Sequence, residues 1–274
     1  MTDAFLRDNI SFLIVVPTYN SFRSLPVLAT SLYNQTFKDW RVIFIDGPSS
    51  VEHRNWLIDC CNNDSRFTWE IQSDFTGKIF GAMNQGFANA NNREWVLFWG
   101  SDDWAASSTV FEELVEKIIL PSSLSSKRVL PPDIIVCSSR YFNVKKHSLG
   151  RKSSFKNESV LSSKSFRQAL RFGSTPPHQS TIFAPNTRNL LSSFSTSFRL
   201  CADLDYFLRL SCFPNISVQC LSLELVHMAD GGISGQQPQH RLHEVLRAYR
   251  NAFPAGWLLP FMIRYFRRIL SYFL

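Results

Sequence analysis

Apolar residues in the first hundred positions come in short runs, each closed by turn formers. Phe12-Leu-Ile-Val-Val16 ends in Pro17-Thr18-Tyr19-Asn20, and Arg41-Val-Ile-Phe-Ile45 ends in Asp46-Gly47-Pro48. A third run covers 67–71, and a fourth, Trp95-Val-Leu-Phe98, ends in Gly100-Ser101-Asp102-Asp103. Runs of this length and composition predict buried strands. Helical spacing between them predicts helices over 24–34, 53–61 and 80–90. Strand alternating with helix predicts an α/β fold with a largely parallel sheet covered by helices.

Beyond residue 100 the pattern loosens. Positions 121–132 read as a Ser/Pro-rich loop and 133–139 as a strand. The basic, Ser-rich stretch 140–164 has weak periodicity and predicts a mobile segment. Strand character returns at 181–183 and 218–227, with a helix over 203–212 and a turn at Gly231-Gly232. The last helices run from 241 to 251 and through the tail. The chain shows no internal repeat, and 274 residues suit one large domain (8–240) with a basic amphipathic helical tail (241–274).

The net charge of +7 is unevenly placed. Residues 140–171 hold nine Lys/Arg against Glu158 alone, and 241–274 hold six Arg against Glu244 alone, so the remainder is net acidic. No zinc-finger spacing or RNP-like strand accompanies this charge, so nucleic acid is not expected as a partner. Anionic lipid or a phosphate-bearing substrate fits the split better. The six cysteines form no CxxC pair and no zinc spacing, which predicts reduced core thiols and a cytoplasmic chain. The N-terminus lacks signal-peptide character, and no run approaches the ~18 apolar residues of a spanning helix.

In parallel sheets ligands sit beyond the carboxyl ends of the strands. Thr18/Asn20, Asp46 and Asp102/Asp103 all fall there. Adjacent acids at a strand end suit Mg²⁺ or Mn²⁺, although Asp also caps turns and helices. Asp46 is either an acceptor for a ribose or base N–H or a turn former. No GxGxxG follows the first strand, and no GxxxxGK[ST] occurs, so a Gly-rich phosphate cradle is excluded. Asp203 and Asp205 open a helix, where acids either favour the dipole or supply a general base. His178-Gln179 follows two prolines, which either hold these side chains toward a cleft or are structural.

Taken in order, seven segments resemble the inverting, family 2 type glycosyltransferases of the GT-A fold, in their bacterial polysaccharide-biosynthesis subgroup. They are Val15-Val16-Pro17-Thr18-Tyr19-Asn20, Ile45-Asp46-Gly47, Ala82-Met83-Asn84-Gln85-Gly86, Gly100-Ser101-Asp102-Asp103, His178-Gln179-Ser180, Cys201-Ala202-Asp203-Leu204-Asp205 with Arg209, and Gly231-Gly232-Ile233-Ser234. The resemblance implies a nucleotide-diphospho-sugar transferase fold, with a Rossmann-like, mostly parallel sheet. It implies that Pro17, Thr18, Tyr19, Asn20, Asp46, Asn84 and Asp102 bind the nucleotide sugar. Asp103 would hold Mn²⁺ or Mg²⁺, Asp203 would be the catalytic base, and His178 and Gln179 would lie on the acceptor side. Gly81 departs from the subgroup, which usually carries an acid there, and the approach from Asp74 is about two residues longer. The activity expected is transfer of a sugar with inversion to a lipid-linked saccharide acceptor. The alternative is an inactive relative serving as a binding or scaffold subunit.

In the tail, Arg264, Arg267 and Arg268 recur at i, i+3, i+4, apart from Tyr265, Phe266, Ile269, Leu270 and Phe273. That spacing predicts an interfacial helix lying on an anionic membrane, at its inner face.

Overall fold

The computed structural model describes residues 10–123, 131–143, 145–230 and 237–273. The chain opens with strand β1 (Ser11–Thr18), helix α1 (Leu25–Tyr33), β2 (Trp40–Asp46), α2 (Val51–Asn63), β3 (Phe67–Ile71), α3 (Lys78–Ala88) and β4 (Glu94–Phe98). It continues through β5 (Asp103–Ala105), α4 (Val110–Ser123), β6 (Ile134–Asn143), β7 (Ser148–Ser153), β8 (Ser159–Ser162), α5 (Ser163–Arg171), β9 (Thr181–Phe183) and α6 (Thr187–Leu190). It closes with α7 (Ala202–Leu210), β10 (Ser217–Ala229), α8 (Pro238–Ala252) and α9 (Leu258–Phe273).

The strands order as β3-β2-β1-β4-β9-β6-β10-β5, with β7 on β6 and β8 on β10. The pairs β1/β2, β2/β3, β1/β4 and β6/β10 are parallel, whereas β9 runs antiparallel between β4 and β6. Register sets Thr18 opposite Asp46, so two of the predicted polar clusters meet at one edge. Strands β1, β2 and β4 are near-continuous apolar runs because helices cover both faces, whereas the edge strand β3 is buried only in part. Leu13, Val15, Ile43, Ile45, Phe98 and Phe183 join one core cluster with α3, α5, α7 and α8. Phe12, Ile14, Val16, Val42, Phe44 and Trp99 join the other, with α1, α2 and α4.

Three sequence expectations change. The stretch 140–164, apart from residue 144, forms regular structure: β6 runs on to Asn143, β7 pairs back on it, and β8 pairs with β10. Strand β7 shows no alternation because its residues are exposed on both faces. The expected loop at 121–132 yields its start to α4 and otherwise lies largely outside the described residues, as does the Gly231–Ser234 motif. Of the expected arginine face of the tail, the side chains of Arg267 and Arg268 lie outside the described residues and only that of Arg264 is described. Arg264 turns inward, where its guanidinium donates to the Gly173 carbonyl (3.4 Å) and to the Thr175 hydroxyl.

Helix α8 buries Val245, Ala248 and Tyr249 in the first core cluster. From it the Glu244 carboxylate accepts hydrogen bonds from the backbone N–H groups of Arg199, Leu200 and Cys201 (2.6, 2.8 and 2.9 Å). These N–H groups lead into α7, so α8 fixes the entry to the helix that carries Asp203.

Candidate active site

The carboxyl edge of β1, β2 and β4 gathers the expected donor-side residues. Asp46 is fully enclosed. Its Oδ1 accepts from the Thr18 and Ser49 hydroxyls (3.1 and 2.6 Å), and its Oδ2 accepts from Arg54 Nε at 3.2 Å. His53 Nε2 lies 3.1 Å from Oδ1 without hydrogen-bond geometry. Burial lowers the His53 pKa against the opposing pull of Asp46. A buried carboxylate needs such partners. A base reaching Asp46 would have to displace the Arg54 guanidinium, whose side chain is 35% exposed.

Tyr19 is 64% exposed, beside Gly47. Its free ring is the aromatic surface of this edge. Pro17 is half-buried in β1. Asn20 takes a positive φ of 50° and spends its side-chain oxygen on the Ser50 N–H, while its own N–H donates to Ser49. It therefore laces the β1 loop to the β2 loop. Asn84 is likewise committed, donating to the Phe194 carbonyl (2.9 Å) and accepting from the Phe194 N–H (2.7 Å).

The β4 end closes a tight turn. The Asp103 N–H donates to the Gly100 carbonyl (3.1 Å), and the Gly100 N–H donates to Asp103 Oδ2 (2.6 Å). A Cβ at Gly100 would stand 2.8 Å from Asp102 Oδ1 and 3.1 Å from Asp103 Oδ2, so any side chain there would shift the two carboxylates. Asp103 is buried, and its pKa is raised well above the usual range by burial and by the Asp102 charge, against the Gly100 N–H. Burial raises Asp102 as well. Among the described residues no Lys or Arg pairs with either acid, so their negative charge stands unneutralised.

A third site group stands on α7. Asp203 is half-buried in its first turn and makes no hydrogen bond or ion pair among the described residues. Asp205, two residues on, is buried and accepts from Arg209 Nε at 2.7 Å. Arg209 also donates to the Ser193 carbonyl at 3.1 Å. The two acids thus separate into a free carboxylate and a structural one. Burial raises the neighbouring Cys201 thiol to about 12, so it is no nucleophile at neutral pH.

His178 lies below Asp203 in an aromatic cage. Its ring stacks on Phe98 (5.3 Å between centroids, 17°) and meets Phe194 edge-on at 5.4 Å. Its Nε2 is buried without a partner, and burial lowers its pKa, opposed by the Asp203 charge. The Gln179 carbonyl accepts from Trp99 Nε1 (3.0 Å), tying the His178–Ser180 turn to the end of β4.

Sequence reasoning missed Gln72. Its side-chain amide donates to the carbonyls of Asp74 (2.7 Å) and Lys78 (2.8 Å), and its N–H donates to the Asp46 carbonyl (2.8 Å). A Cβ at Gly81 would stand 3.0 Å from this amide. Gln72 therefore fills the space where the subgroup usually carries an acid and shapes the longer loop before α3. The signal available was only a single polar residue at a strand end.

The family model described as Glycosyl transferase family 2 matches residues 13–192. A PGL/p-HBAD biosynthesis glycosyltransferase of Mycobacterium bovis is 33% identical over 95 residues, covering 34% of this chain and 35% of that protein. The matched stretch is therefore about a third of that relative's length. Among solved structures, S. aureus TarS 1-349 in complex with UDP-GlcNAc aligns with a TM-score of 0.65 at 16% identity, covering 93% of this chain and 70% of that one. The full S. aureus TarS structure is covered over only 39% of its length. The mannosyltransferase PcManGT of Pyrobaculum calidifontis, in complex with GDP-Man and Mn2+, aligns with a TM-score of 0.60 at 13% identity, covering 94% and 69%. These likenesses establish the GT-A fold.

Proposed function

The chain belongs to glycosyl transferase family 2, and from that premise we propose that it moves a sugar, with inversion, from a nucleoside-diphosphate donor to a hydroxyl of a lipid-linked saccharide. The setting proposed is surface polysaccharide or oligosaccharide biosynthesis. One observation carries the reading: Asp203 is a free, half-buried carboxylate at the head of α7, while Asp205 is locked to Arg209. A general base must reach its proton unencumbered. Asp203 would take the acceptor hydroxyl's proton as that oxygen attacks the sugar, and one displacement inverts the anomeric centre.

The metal that the family implies fits this edge. Asp103, beside Asp102, supplies a hard oxygen ligand, no Lys or Arg among the described residues pairs with either acid, and the described residues hold no cluster of three or more ligating side chains. Water and substrate phosphate would complete the shell, as Mg²⁺ and Mn²⁺ sites commonly arrange. An ion held by Asp103 would offset the charge gained by the leaving diphosphate. Tyr19 offers a stacking face for the base, and Asp102 faces the ribose or sugar. Asn20, Asn84 and Asp46 support the donor loops, with Asp46 open to a base only once Arg54 moves. The inactive-scaffold alternative drew on Gly81, and Gln72 in that space supports an intact donor loop instead.

A peripheral, cytoplasmic-face attachment is also proposed, and α9 supports it through its apolar residues, while Arg264 is engaged by Gly173 and Thr175. Trp257, Phe261 and Tyr265 pack on the core, while Leu258, Leu259, Met262 and Phe266 remain more than half exposed. No helix of the described residues is long and apolar enough to cross a membrane. An amphipathic helix with such a face lies in the interface.

The test is a panel of UDP-, GDP- and dTDP-sugars screened by thermal shift with Mn²⁺ or with chelator. At least one donor should stabilise the protein, and only with metal. Failure of every donor to bind, or equal binding in chelator, overturns the reading.

A further inference from the structure

One half-open cluster is used by no step above. Trp104 in β5 meets Phe142 edge-on (5.3 Å between centroids, 75°) and His227 likewise (5.9 Å, 86°). His227 Nε2 lies 2.9 Å from Glu224 Oε1. Arg140 grips the same carboxylate through Nε (2.9 and 3.0 Å) and Nη2 (2.8 Å).

The register explains where this cluster stands. Trp104 is opposite His227, His227 opposite Arg140, and Arg140 opposite Lys152. In the neighbouring row, Asp103 is opposite Met228, and Met228 opposite Tyr141. Alternation along β6 puts Arg140 and Phe142 on the face of Ile134 and Val136. That face is covered further back by α7, the helix that opens on Asp203. Among the described residues the cluster is therefore an uncovered continuation of the sheet face on which α7 packs, and it begins at the residue after Asp103.

Its far border is basic. Lys145, Lys146, Arg151, Lys152 and Lys156 are exposed, and the segment's one acid, Glu158, pairs with Lys117 at 3.5 Å. Lys145, Lys146 and Lys152 carry no ion pair among the described residues, whereas the Arg151 guanidinium lies over the Tyr141 ring at 5.2 Å, on the opposite face of the sheet from Arg140 and Phe142. Asp230, whose N–H donates to the Phe142 carbonyl, is the acid at the adjoining end of β10. From the row of Trp104 to that of Lys152 is three strand spacings, or roughly 14 Å.

We propose that this face binds the acceptor, and that the acceptor is a short saccharide bearing a phosphate at the end remote from its reacting hydroxyl. The inference rests on the glycosyl-transfer reading above. A half-exposed indole offers an apolar face to sugar C–H groups, and the Arg140–Glu224–His227 network offers donors and acceptors to hydroxyls. Lysines free of acids suit a phosphate, held well away from the donor diphosphate. The ribbon's large exposed apolar residues are only Leu149 and Val160, too few for membrane insertion.

The experiment uses the full chain with its donor site filled by Mn²⁺ and the nucleoside diphosphate it binds. Ligand-observed NMR titrations compare maltose 1-phosphate with maltose, and chitobiose 1-phosphate with chitobiose. At least one phosphorylated probe should bind about tenfold or more tighter than its counterpart, the worth of one charge-assisted hydrogen bond. The Lys145→Ser/Lys146→Ser/Lys152→Ser variant should lose that preference, and Trp104→Ser should lose binding of both forms. Nucleotide binding in both variants should match wild type, which also reports that they fold. No phosphate preference with either pair, or a preference that survives the triple variant, overturns the proposal while nucleotide binding still stands. If the triple variant loses only sedimentation with phosphatidylcholine/phosphatidylglycerol vesicles, the patch serves a lipid surface and the proposal fails. If wild type binds no nucleotide with Mn²⁺, the transfer reading itself has failed.

Discussion

Asp103→Asn should make the metal-free protein more stable and the loaded protein less so. Asp103 is only 3% exposed, and its charge is opposed by burial and by Asp102, with the Gly100 N–H as its one offset. Asparagine keeps an oxygen for that N–H and removes the charge. Relief of a poorly compensated buried group amounts to about 1–3 kcal/mol. For a chain of this size each kcal/mol moves Tm by roughly 2–4 °C. The pH dependence has a definite sign. A carboxylate with a raised folded pKa stabilises fully below its unfolded value of about 3.9 and loses that contribution as pH rises through the folded value. The advantage of Asn over Asp should therefore be largest near neutral pH and shrink on acidification. Metal and nucleotide reverse the order. At a hundred times Kd they add about 2.7 kcal/mol to wild type, and the variant should gain little of it. Differential scanning fluorimetry across pH, with and without Mn²⁺ and nucleotide, reads both effects. A variant less stable than wild type without metal at pH 7.5, or an advantage that grows on acidification, would refute the reasoning.

Two further substitutions probe the surroundings. Gly81→Asp should destabilise by about 1–3 kcal/mol, because its side chain evicts the Gln72 amide and strands the Asp74 and Lys78 carbonyls; chemical denaturation that shows no loss contradicts this. His178→Phe should leave stability at pH 7.5 within about 1.5 kcal/mol, since the cage is aromatic and Nε2 has no partner. A His with a lowered folded pKa loses stability as pH falls through its unfolded value of about 6.5, so the variant should gain on wild type from pH 7.5 to 5.5 in paired melting curves.

What the sequence disclosed follows its periodicity. Strands β1, β2 and β4 were readable because both faces are covered and their runs are short and closed by turns, and the edge strand β3 by its aromatic and β-branched residues. The Asp46 and Asp102/Asp103 clusters were readable because they end such runs. Strand β5 was not, because three residues carry no period and its pairing to β10 is a long-range contact. Strand β7 was hidden because it is exposed on both faces. The division of labour between Asp203 and Asp205 was half visible: Arg209 stands four residues after Asp205, the spacing of a helical ion pair. The Trp104–Arg140–Glu224–His227 cluster joins three strands, and no local pattern announces it. The role of α8 in holding the entry to α7 through Glu244 is likewise purely tertiary.

The central claim is that Asp203 is the base of a sugar transfer that a metal-bound donor undergoes. Its most direct test compares Asp203→Asn and Asp205→Asn in single-turnover transfer from the donor that binds, with donor affinity measured alongside. Asp203→Asn should bind donor within about twofold of wild type and transfer at least ~100-fold more slowly, the lower end of general-base catalysis. Asp205→Asn should lose thermal stability through Arg209 but keep more of its transfer rate. If Asp203→Asn retains more than about a tenth of wild-type transfer while Asp205→Asn does not, the base has been assigned to the wrong carboxylate.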